Sequence, residues 1–328
     1  MSDMFKAFVV DKENDSVVTE IKNLSFEDLP EGDVLIRVHY SSVNYKDGLA
    51  SIANGGIVRS YPFVPGIDLA GTVVSSKDER YAEGDEVIVT SYELGVSHYG
   101  GFSQYARVPA AWVVPLPNGL TLKDAMTFGT AGFTAALSVQ RLEESHIPDG
   151  PILVTGATGG VGSFAVAMLA KKGYEVVAST GKESEHEYLK QLGATTILSR
   201  EEVSPEKVRP LDQQQWAGAV DPVGGQTLAY ILSSTKYGGS VAVSGLTGGT
   251  KLPTTVFPFI LRGVNLVGID SVYCDMDTRL RVWERLATDL KPEHLLKDIE
   301  QEVDLEQLPT VIENILQGQV RGRTVVTL

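Results

Sequence analysis

The chain has 328 residues, of which 43% are hydrophobic and 8% aromatic, enough for one large domain or two domains with buried cores. Its 28 basic and 42 acidic residues give a formal net charge of −14, and no basic run occurs. This balance argues against nucleic acid or an anionic membrane as the main partner and favours a small-molecule substrate. An anionic cofactor stays compatible with it, because a few local donors suffice to hold one.

Cysteine usage and hydropathy indicate where the protein works. Cys274 is the only cysteine, so neither an intrachain disulfide nor a cysteine-cluster zinc site is possible. The N-terminal segment MSDMFKAFVVDKEND reaches charged residues too early for a secretory signal. No apolar stretch approaches the roughly 18 residues that a membrane helix needs. We therefore expect a soluble cytoplasmic protein.

Up to about residue 120 the pattern is typical of strands. Segments rich in Val and Ile are separated by turn pairs such as Glu31-Gly32 and Gly100-Gly101. The predicted strands are VLIRVHYSSVN (34–44), GIDLAGTVVSS (66–76), DEVIVTSY (85–92) and YARVPAAWVVPLP (105–117). They predict a twisted antiparallel or barrel-like β-rich domain.

Beyond residue 123 strands and helices alternate. A long helix over 124–144 precedes six short apolar strands, and most of the strands are separated by helical segments. The predicted strands are ILVTG (152–156), EVVAST (175–180), TTILS (195–199), AGAVDPV (217–223), GSVAVSG (239–245) and NLVGID (265–270). Such alternation predicts an α/β fold with a doubly wound parallel sheet of the Rossmann type. A mostly helical tail with a closing strand, GRTVVTL, follows.

The segment VTGATGGVGSFAV (154–166) carries the strongest motif. Gly156, Gly159 and Gly162 form a G-x-x-G-x-x-G run, with Gly160 inside it, between a strand and a helix. Gly156 would allow the tight turn, Gly159 and Gly160 would let backbone N–H groups approach a pyrophosphate, and Gly162 would let the helix pack closely on the sheet. A plain turn with a capping glycine is the alternative, but the surrounding β-units favour a dinucleotide site. The loop predicted to bind the cofactor comprises Gly156, Ala157, Thr158, Gly159, Gly160 and Val161.

The second strand of this domain indicates which dinucleotide binds. An NAD site usually has Asp or Glu at the tip of that strand, but here the tip reads Ser179, Thr180, Gly181 and Lys182. Hydroxyls and a cation suit a 2′-phosphate, and Arg200 at the end of the third strand would lie beside the same adenosine. Lys182 and Arg200 as solvated surface charges are the alternative. We predict NADPH rather than NADH.

Several motifs together resemble a known group of enzymes. They are NYKD (44–47), PGIDLAGTV (65–73), GTAGFTAAL (129–137), DPVGG (221–225), SGLTGG (244–249) and KLPTTVFPFILRGV (251–264). The chain resembles the zinc-independent quinone-reductase branch of the medium-chain dehydrogenase/reductase superfamily. Over essentially its whole length it is similar to the YhdH/YhfP family of quinone oxidoreductases and acryloyl-CoA reductases.

This resemblance implies a division into domains. It implies a GroES-like catalytic domain over 1–122, completed by 270–328, and a Rossmann NADP-binding domain over 123–269. It also implies an active site in a cleft and a homodimer formed through the nucleotide-binding domains.

The resemblance also bears on metal binding. The zinc dehydrogenases of this superfamily bind their catalytic metal through a Cys in the NYKD region and a His in the PGIDLAG region. This chain has Asn44 and Ile67 in those regions, together with Asp47 and Asp68, and two carboxylates alone are a poor zinc site. We predict no metal, and therefore an acceptor already activated by conjugation.

The same resemblance suggests catalytic residues. It implies that Asn44 positions the nicotinamide ribose or the substrate, and that Tyr45 donates a hydrogen bond or a proton. An Asn-capped turn with a half-buried Tyr is the alternative. Asp47 would cap a helix beginning at Gly48 or pair with Lys46, and Asp68 is as well explained as a buried structural acid.

Further residues are implied to lie near the cofactor. Ser244 and Leu246, at the end of the fifth strand, would run along the nicotinamide side. The residues placed near the cofactor or the cleft by the resemblance alone are Ile260, Ser271, Gly318 and Arg323. Packing or turn roles are the alternatives for this second group.

Three functions follow from these observations. The first is NADPH-dependent, zinc-independent transfer of hydride to the activated C=C of an α,β-unsaturated thioester such as acryloyl-CoA. The second is reduction of a quinone or another enone. The third is non-catalytic NADPH binding, as in the lens crystallins of this superfamily.

Overall fold

The computed structural model describes residues 4–14, 16–292 and 294–328. The strands are, in chain order, β1 (Met4–Glu13), β2 (Ser16–Ser25), β3 (Val34–Val43), β4 (Asp68–Ser76), β5 (Glu86–Thr90), β6 (Tyr105–Val108), β7 (Val114–Pro115), β8 (Ile152–Val154), β9 (Val176–Thr180), β10 (Thr196–Ser199), β11 (Trp216–Asp221), β12 (Thr235–Val243), β13 (Asn265–Gly268), β14 (Glu300–Asp304) and β15 (Arg323–Thr327).

The α-helices are, in chain order, α1 (Tyr45–Ala50), α2 (Leu122–Glu144), α3 (Gly160–Lys171), α4 (His186–Gln191), α5 (Gly225–Ser234), α6 (Phe257–Arg262), α7 (Met276–Ala287), α8 (Leu296–Ile299) and α9 (Leu308–Leu316). Short 3-10 turns cover Ala110–Trp112, Glu183–Glu185 and Glu201–Val203. None of the helices in the described part of the chain combines the length and apolar composition of a membrane span.

The chain divides into two compact units. Unit 1 comprises Met1–Thr130, Val272–Ala287 and Leu296–Leu328, and unit 2 comprises Ala131–Ser271 and Thr288–Leu295. The sequence-based boundary at 122/123 followed the change from strand to helix pattern. In the structure the division falls inside α2, between Thr130 and Ala131, next to the break in this helix at Gly129.

A short segment beyond α7 also lies in unit 2, although the predicted catalytic domain included it. Lys171, at the end of α3, donates from Nζ to the carbonyl oxygens of Thr288 (3.3 Å) and Lys291 (2.6 Å). Lys172 forms an ion pair with Asp289 at 3.2 Å. These contacts hold 288–295 against the end of α3.

Unit 1 is built on a mostly antiparallel sheet of order β14-β15-β3-β4-β5-β7, with β6 paired to β3 and β1 to β2 in a separate hairpin. Alternate residues of β3, such as Val34, Ile36 and Val38, are buried, as expected for a sheet with one face on a core. The predicted strand 105–117 is interrupted after Val108, because Pro109 lacks an N–H and a 3-10 turn follows it.

Unit 2 is the predicted doubly wound sheet. Its strands are all parallel and follow the order β10-β9-β8-β11-β12-β13. Every residue of β8 and of β11 is buried, because helices cover both faces of such a sheet. The strand order reverses between β8 and β11, and in this class of fold ligands bind at the carboxyl ends of the strands at that point.

Gly129 interrupts α2 with φ 50° and ψ −156°, a combination that is strained for any residue with a Cβ. A Cβ on Gly129 would lie 2.5 Å from Asp68 Oδ2, 2.5 Å from Ser42 Oγ and 2.6 Å from Arg323 Nη2. The kink lets the N–H of Thr130 donate to Asp68 Oδ2 at 2.9 Å. A glycine is therefore required here for both conformation and space.

We predict that Gly129→Ala destabilises the protein by at least about 3 kcal/mol, because the methyl group overlaps three buried polar atoms. Gly84→Ala is the matched control, since Gly84 has φ +90° but nothing within 4 Å of an added Cβ. That control is expected to lose only about 1–2 kcal/mol of conformational energy. Urea unfolding of both variants measures the difference, and equal midpoints would contradict the prediction.

Candidate active site

The glycine loop of unit 2 joins β8 to α3. Gly156 has φ +52°, in the left-handed region, and so makes the turn that leaves the strand. A Cβ on Gly162 would lie 2.3 Å from the carbonyl oxygen of Gly156 and 2.6 Å from Ala157 Cα. Gly162 thus allows the first turn of α3 to pack against the loop itself, whereas the sequence suggested packing against the sheet.

A cavity of about 230 Å³ lies at the carboxyl ends of the parallel strands. Its lining residues are Thr155, Gly156, Ser179, Thr180, Gly181, Arg200, Val203, Val223, Thr227, Thr247 and Gly248. They come from the ends of neighbouring strands, from the loops that follow them, from the 3-10 turn that holds Val203 and from the first turn of α5, which holds Thr227. The cavity therefore occupies the place expected for a dinucleotide at the reversal of strand order.

Arg200 lies directly against the tip of β9. A Cβ added to Gly181 would lie 3.1 Å from the Cζ atom of the Arg200 guanidinium. In the part of the chain that the structure describes, no acceptor takes a hydrogen bond from this guanidinium. The tip of β9 thus combines a cation, the Thr180 hydroxyl and a strand end without a carboxylate.

Two glycine-containing loops complete the wall of the cavity. Asp221, fully buried at the end of β11, accepts hydrogen bonds from Val223 N (3.1 Å), Gly224 N (2.9 Å) and the Thr155 hydroxyl. Burial raises the pKa of Asp221, while these donors oppose that rise. A Cβ on Gly245 would lie 2.0 Å from the carbonyl oxygen of Pro222, so the DPVGG and SGLTGG loops meet backbone to backbone.

Asn44 lies in unit 1, where β3 gives way to α1. It is the N-cap residue of α1, with extended backbone, and its side chain is buried. Its Nδ2 donates to Asp68 Oδ2 at 2.7 Å and to the carbonyl oxygen of Ser42 at 3.3 Å. Its Oδ1 accepts a hydrogen bond from Arg323 Nη1 at 3.1 Å. Both amide protons are used by the protein, and Oδ1, which also faces the backbone N–H of Asp47 in a capping box, is the atom left to accept a further hydrogen bond.

Asp47 anchors the start of α1. Its carboxylate accepts hydrogen bonds from the backbone N–H of Asn44 (2.7 Å) and of Ile67 (2.9 Å). Burial, together with the nearby Asp68 carboxylate, raises the pKa of Asp47 to about 7. The helix begins at Tyr45, so Asp47 lies within its first turn and does not cap a helix from Gly48.

Tyr45 contrasts with its buried neighbour. Its side chain is 47% exposed. Across the described ranges its hydroxyl contacts no hydrogen-bond partner. Tyr45 therefore has a free donor next to a residue whose own donors are occupied.

Two family profiles match the chain. The profile described as the alcohol dehydrogenase GroES-like domain matches residues 30–118, and the one described as zinc-binding dehydrogenase matches residues 160–288. YhfP of Bacillus subtilis, to which a quinone oxidoreductase activity is assigned provisionally, is 60% identical over all of both chains. Its crystal structure with NAD bound matches this chain with a TM-score of 0.97 over the full length of both.

Two further relatives extend the comparison. AcuI of Ruegeria pomeroyi, an acrylyl-CoA reductase, is 54% identical over 98% of this chain and 99% of its own length. The YhdH oxidoreductase of Salmonella enterica, solved in complex with NADP, is 48% identical, covers 98% of this chain and 99% of its own, and has a TM-score of 0.96.

The chain belongs to the YhdH/YhfP family. This confirms the predicted membership of the medium-chain dehydrogenase/reductase superfamily, the predicted pairing of a GroES-like domain with a Rossmann sheet, and the class of enzyme, an oxidoreductase with a nicotinamide cofactor. The structure of YhfP holds NAD and that of the Salmonella YhdH holds NADP. A preference of this chain for the 2′-phosphate of NADP therefore depends on its own residues at the tip of β9.

The residues of this YhdH/YhfP member do not fit a catalytic zinc, despite the name of the second profile. Among the described residues no three His, Cys, Asp or Glu side chains are grouped so as to hold a metal ion. Both oxygens of Asp68 already accept hydrogen bonds from Ser42, Asn44 and Thr130. Arg323 Nη2 lies 3.5 Å from Asp68 Oδ2, so a guanidinium balances the charge that a metal would balance.

The structure brings some of the predicted cofactor residues together. Gly156, Ser179, Thr180, Gly181 and Arg200 line one cavity. The predicted residues outside that lining in unit 2 are Ala157, Thr158, Gly159, Gly160, Val161, Lys182, Ser244, Leu246, Ile260 and Ser271. Gly318, with φ +69°, follows α9 in unit 1. Their roles toward the cofactor stay predictions.

The environments of these remaining residues differ. Lys182 donates its backbone N–H to Thr180 Oγ1 at 3.1 Å. The Ser244 hydroxyl is buried and meets no hydrogen-bond partner among the described residues. Leu246 is 63% exposed, and Ile260 on α6 is 69% exposed. Exposure of this degree is more typical of a contact surface than of a cofactor pocket.

Sequence reasoning missed several residues that line the cavity. They are Thr155, Val203, Val223, Thr227, Thr247 and Gly248. The motifs DPVGG and SGLTGG were recognised as family signatures, but which of their side chains face the cavity depends on how the two loops pack. The sequence signal that could have located this wall of the cavity is the glycine pair after Asp221. Gly224 (φ +74°) and Gly225 (φ +59°) both adopt positive φ in the turn that follows β11.

Proposed function

We propose that this chain reduces the C=C bond of an α,β-unsaturated acyl thioester such as acryloyl-CoA with NADPH. The observation that carries the proposal is the 54% identity to an acrylyl-CoA reductase over nearly the whole chain. A carbon–carbon double bond conjugated to a thioester accepts a hydride without a Lewis acid, which agrees with a donor set unsuited to zinc. We further propose that the enzyme works in the cytoplasm.

The cavity of unit 2 supports the choice of NADPH. Backbone N–H groups at the start of α3 would hold the pyrophosphate, because the first N–H groups of a helix have no partner within it. Thr180, Gly181 and Arg200 would surround the 2′-phosphate, where a guanidinium gives strong charge-assisted hydrogen bonds. Bound NADPH supplies the hydride.

Asn44 and Tyr45 are proposed to have complementary roles. Since both protons of the Asn44 amide are used by the protein, this side chain serves as an acceptor, through Oδ1, for a hydroxyl of the cofactor ribose or substrate. Tyr45 keeps a free hydroxyl and is the donor for the oxygen on which negative charge develops after reduction. The proton that completes the reaction comes from this hydroxyl or from water.

A quinone oxidoreductase is the second candidate. It is favoured by the 60% identity to YhfP, to which that activity is provisionally assigned. A quinone has the same conjugation and likewise requires no metal. The third possibility, cofactor binding without turnover, would leave the buried arrangement around Asn44 without a chemical role.

An acceptor panel tests the proposed function. With NADPH as reductant, kcat/KM for acryloyl-CoA should exceed that for benzoquinone and for simple enones by at least about tenfold, because a site that recognises the thioester arm gains binding energy only from that acceptor. NADPH oxidation and product formation are measured together. Faster turnover of quinones would favour the second candidate, and no turnover the third.

The cofactor proposal is tested at Arg200. We expect Arg200→Ala to weaken NADPH binding by about 10- to 100-fold, the loss of a charge-assisted contact, and NADH binding by less than about threefold. Lys182→Ala, measured alongside, reports whether Lys182 shares the phosphate. Arg141→Ala, an exposed ion-paired arginine on α2, is the control. Equal losses for NADPH and NADH would contradict the proposal.

We also propose that the protein forms a homodimer through unit 2. Strand β13 is at one edge of the parallel sheet, and four exposed apolar side chains, Val256, Phe257, Ile260 and Leu261, lie on or next to α6. An unpaired edge beside an apolar patch is a typical association surface. A second copy related by twofold symmetry would cover both.

Ile260→Lys tests the dimer. Placing a charge in an apolar interface is expected to raise the dimer dissociation constant by at least about tenfold. Leu280→Lys, at a leucine on α7 in unit 1 that is 42% exposed, should leave association unchanged. Sedimentation velocity of the three proteins distinguishes monomer from dimer, and a monomeric parent chain at micromolar concentration would refute the proposal.

A further inference from the structure

Arg323 is a buried cation whose hydrogen bonds join three chain segments of unit 1: β15, the end of β3 with the start of α1, and α2. It is the first residue of β15 and only 3% exposed. It donates hydrogen bonds to the carbonyl oxygens of Thr127 (3.3 Å) and Val43 (2.9 Å), to Ser42 Oγ (2.7 Å) and to Asn44 Oδ1 (3.1 Å). The planar fork of arginine is needed for such a set, because lysine cannot present donors in two directions in one plane.

Asp68 faces the same amide from the other side. Its carboxylate accepts from Asn44 Nδ2, and it is fully buried, 3.5 Å from the Arg323 guanidinium. A carboxylate can only accept hydrogen bonds and a guanidinium can only donate them. The amide of Asn44 therefore has one allowed orientation, with Nδ2 toward Asp68 and Oδ1 toward Arg323, and a flip would create two repulsive contacts at once.

Stability alone does not account for this arrangement. A buried ion pair gains little over apolar residues of similar volume, because desolvation of the two charges offsets their attraction. The pair also requires a glycine at 129, in a backbone conformation that other residues avoid. The buried Asp68–Arg323 pair, which fixes the Asn44 amide, is explained if the orientation of that amide matters to the reaction.

We propose that Asp68 and Arg323 are positioning residues whose role is to hold the Asn44 amide in a single orientation, so that Oδ1 is presented as an acceptor to a hydroxyl of the cofactor or substrate. This inference rests on the role proposed above for Asn44. It assigns a function in the reaction to a cation on the last strand, distant in sequence from every nucleotide-binding motif.

A thermodynamic cycle separates positioning from simple structural support. The variants are Asn44→Ala, Asp68→Asn, Arg323→Lys and the doubles that combine Asn44→Ala with each of the other two. Asp68→Asn and Arg323→Lys preserve shape or charge and so favour folding. Arg80→Lys, at an exposed ion pair with Asp78 in the same unit, is the control and is expected to change kcat/KM by less than about twofold.

If Asp68 and Arg323 act through Asn44, each single variant lowers kcat/KM by about 10- to 100-fold, and each double variant stays within about twofold of Asn44→Ala. Melting temperatures report structural damage separately, and these are expected to fall further in the doubles.

Losses in kcat/KM that multiply in the double variants would overturn the inference, because Asp68 and Arg323 would then act independently of Asn44. An Asn44→Ala variant as active as the parent would overturn both this inference and the role of Asn44. The cycle uses whichever acceptor is turned over fastest, so a preference for quinones refutes the proposed substrate and leaves the cycle interpretable. Absence of turnover with every acceptor would refute both.

Discussion

The charges buried in unit 1 require compensation, and that requirement organises the segments around Asn44. The Asp68 carboxylate accepts hydrogen bonds from β3, from Asn44 and from the kink in α2, while the Arg323 guanidinium donates to β3 and to α2. Each of these groups would be costly to bury without its partners. The positions of the start of α1, of the kink and of β15 are therefore mutually dependent.

In unit 2 the constraint is one of space around the backbone. Gly156 and Gly162 allow loop and helix to approach within van der Waals distance, and the DPVGG and SGLTGG loops meet through Gly245. Close backbone approach leaves room and free N–H groups for an anionic cofactor at the strand ends. The sites are thus preorganised by different means. In unit 1 paired buried charges fix the side chains, and in unit 2 glycines allow the backbone segments to approach closely.

Much of this could be read from the sequence, because the signals were local. Short apolar strands alternating with helices predicted the parallel sheet, and the spacing of glycines predicted the turn into α3. Hairpin β1–β2 was missed, since β2 alternates only weakly between buried and exposed positions and β1 buries the unbroken run Ala7–Val10. The kink at Gly129 was also missed, because the segment around it has a continuous helical pattern and the reason for the break is a carboxylate distant in sequence.

The candidate site was predictable in part for the same reason. Ser179–Gly181 and Arg200 were predicted because they stand at the carboxyl ends of predicted strands, and all of them line one cavity. The network around Asn44 depends on which side chains meet across the sheet and inside α2, and no spacing rule encodes that. Asp68 was weighed as a buried structural acid, but its pairing with Arg323 and its effect on the Asn44 amide needed the folded chain.

The location of Arg323 on β15 has a consequence for biosynthesis. A chain emerging from the ribosome contains Asp68, Asn44 and the kinked helix long before it contains their cation. Unit 2 is complete through residue 295 while unit 1 still lacks β14 and β15. Domains generally fold as units in order of synthesis, so here the discontinuous unit would acquire its charged core last, after the nucleotide-binding sheet has already formed.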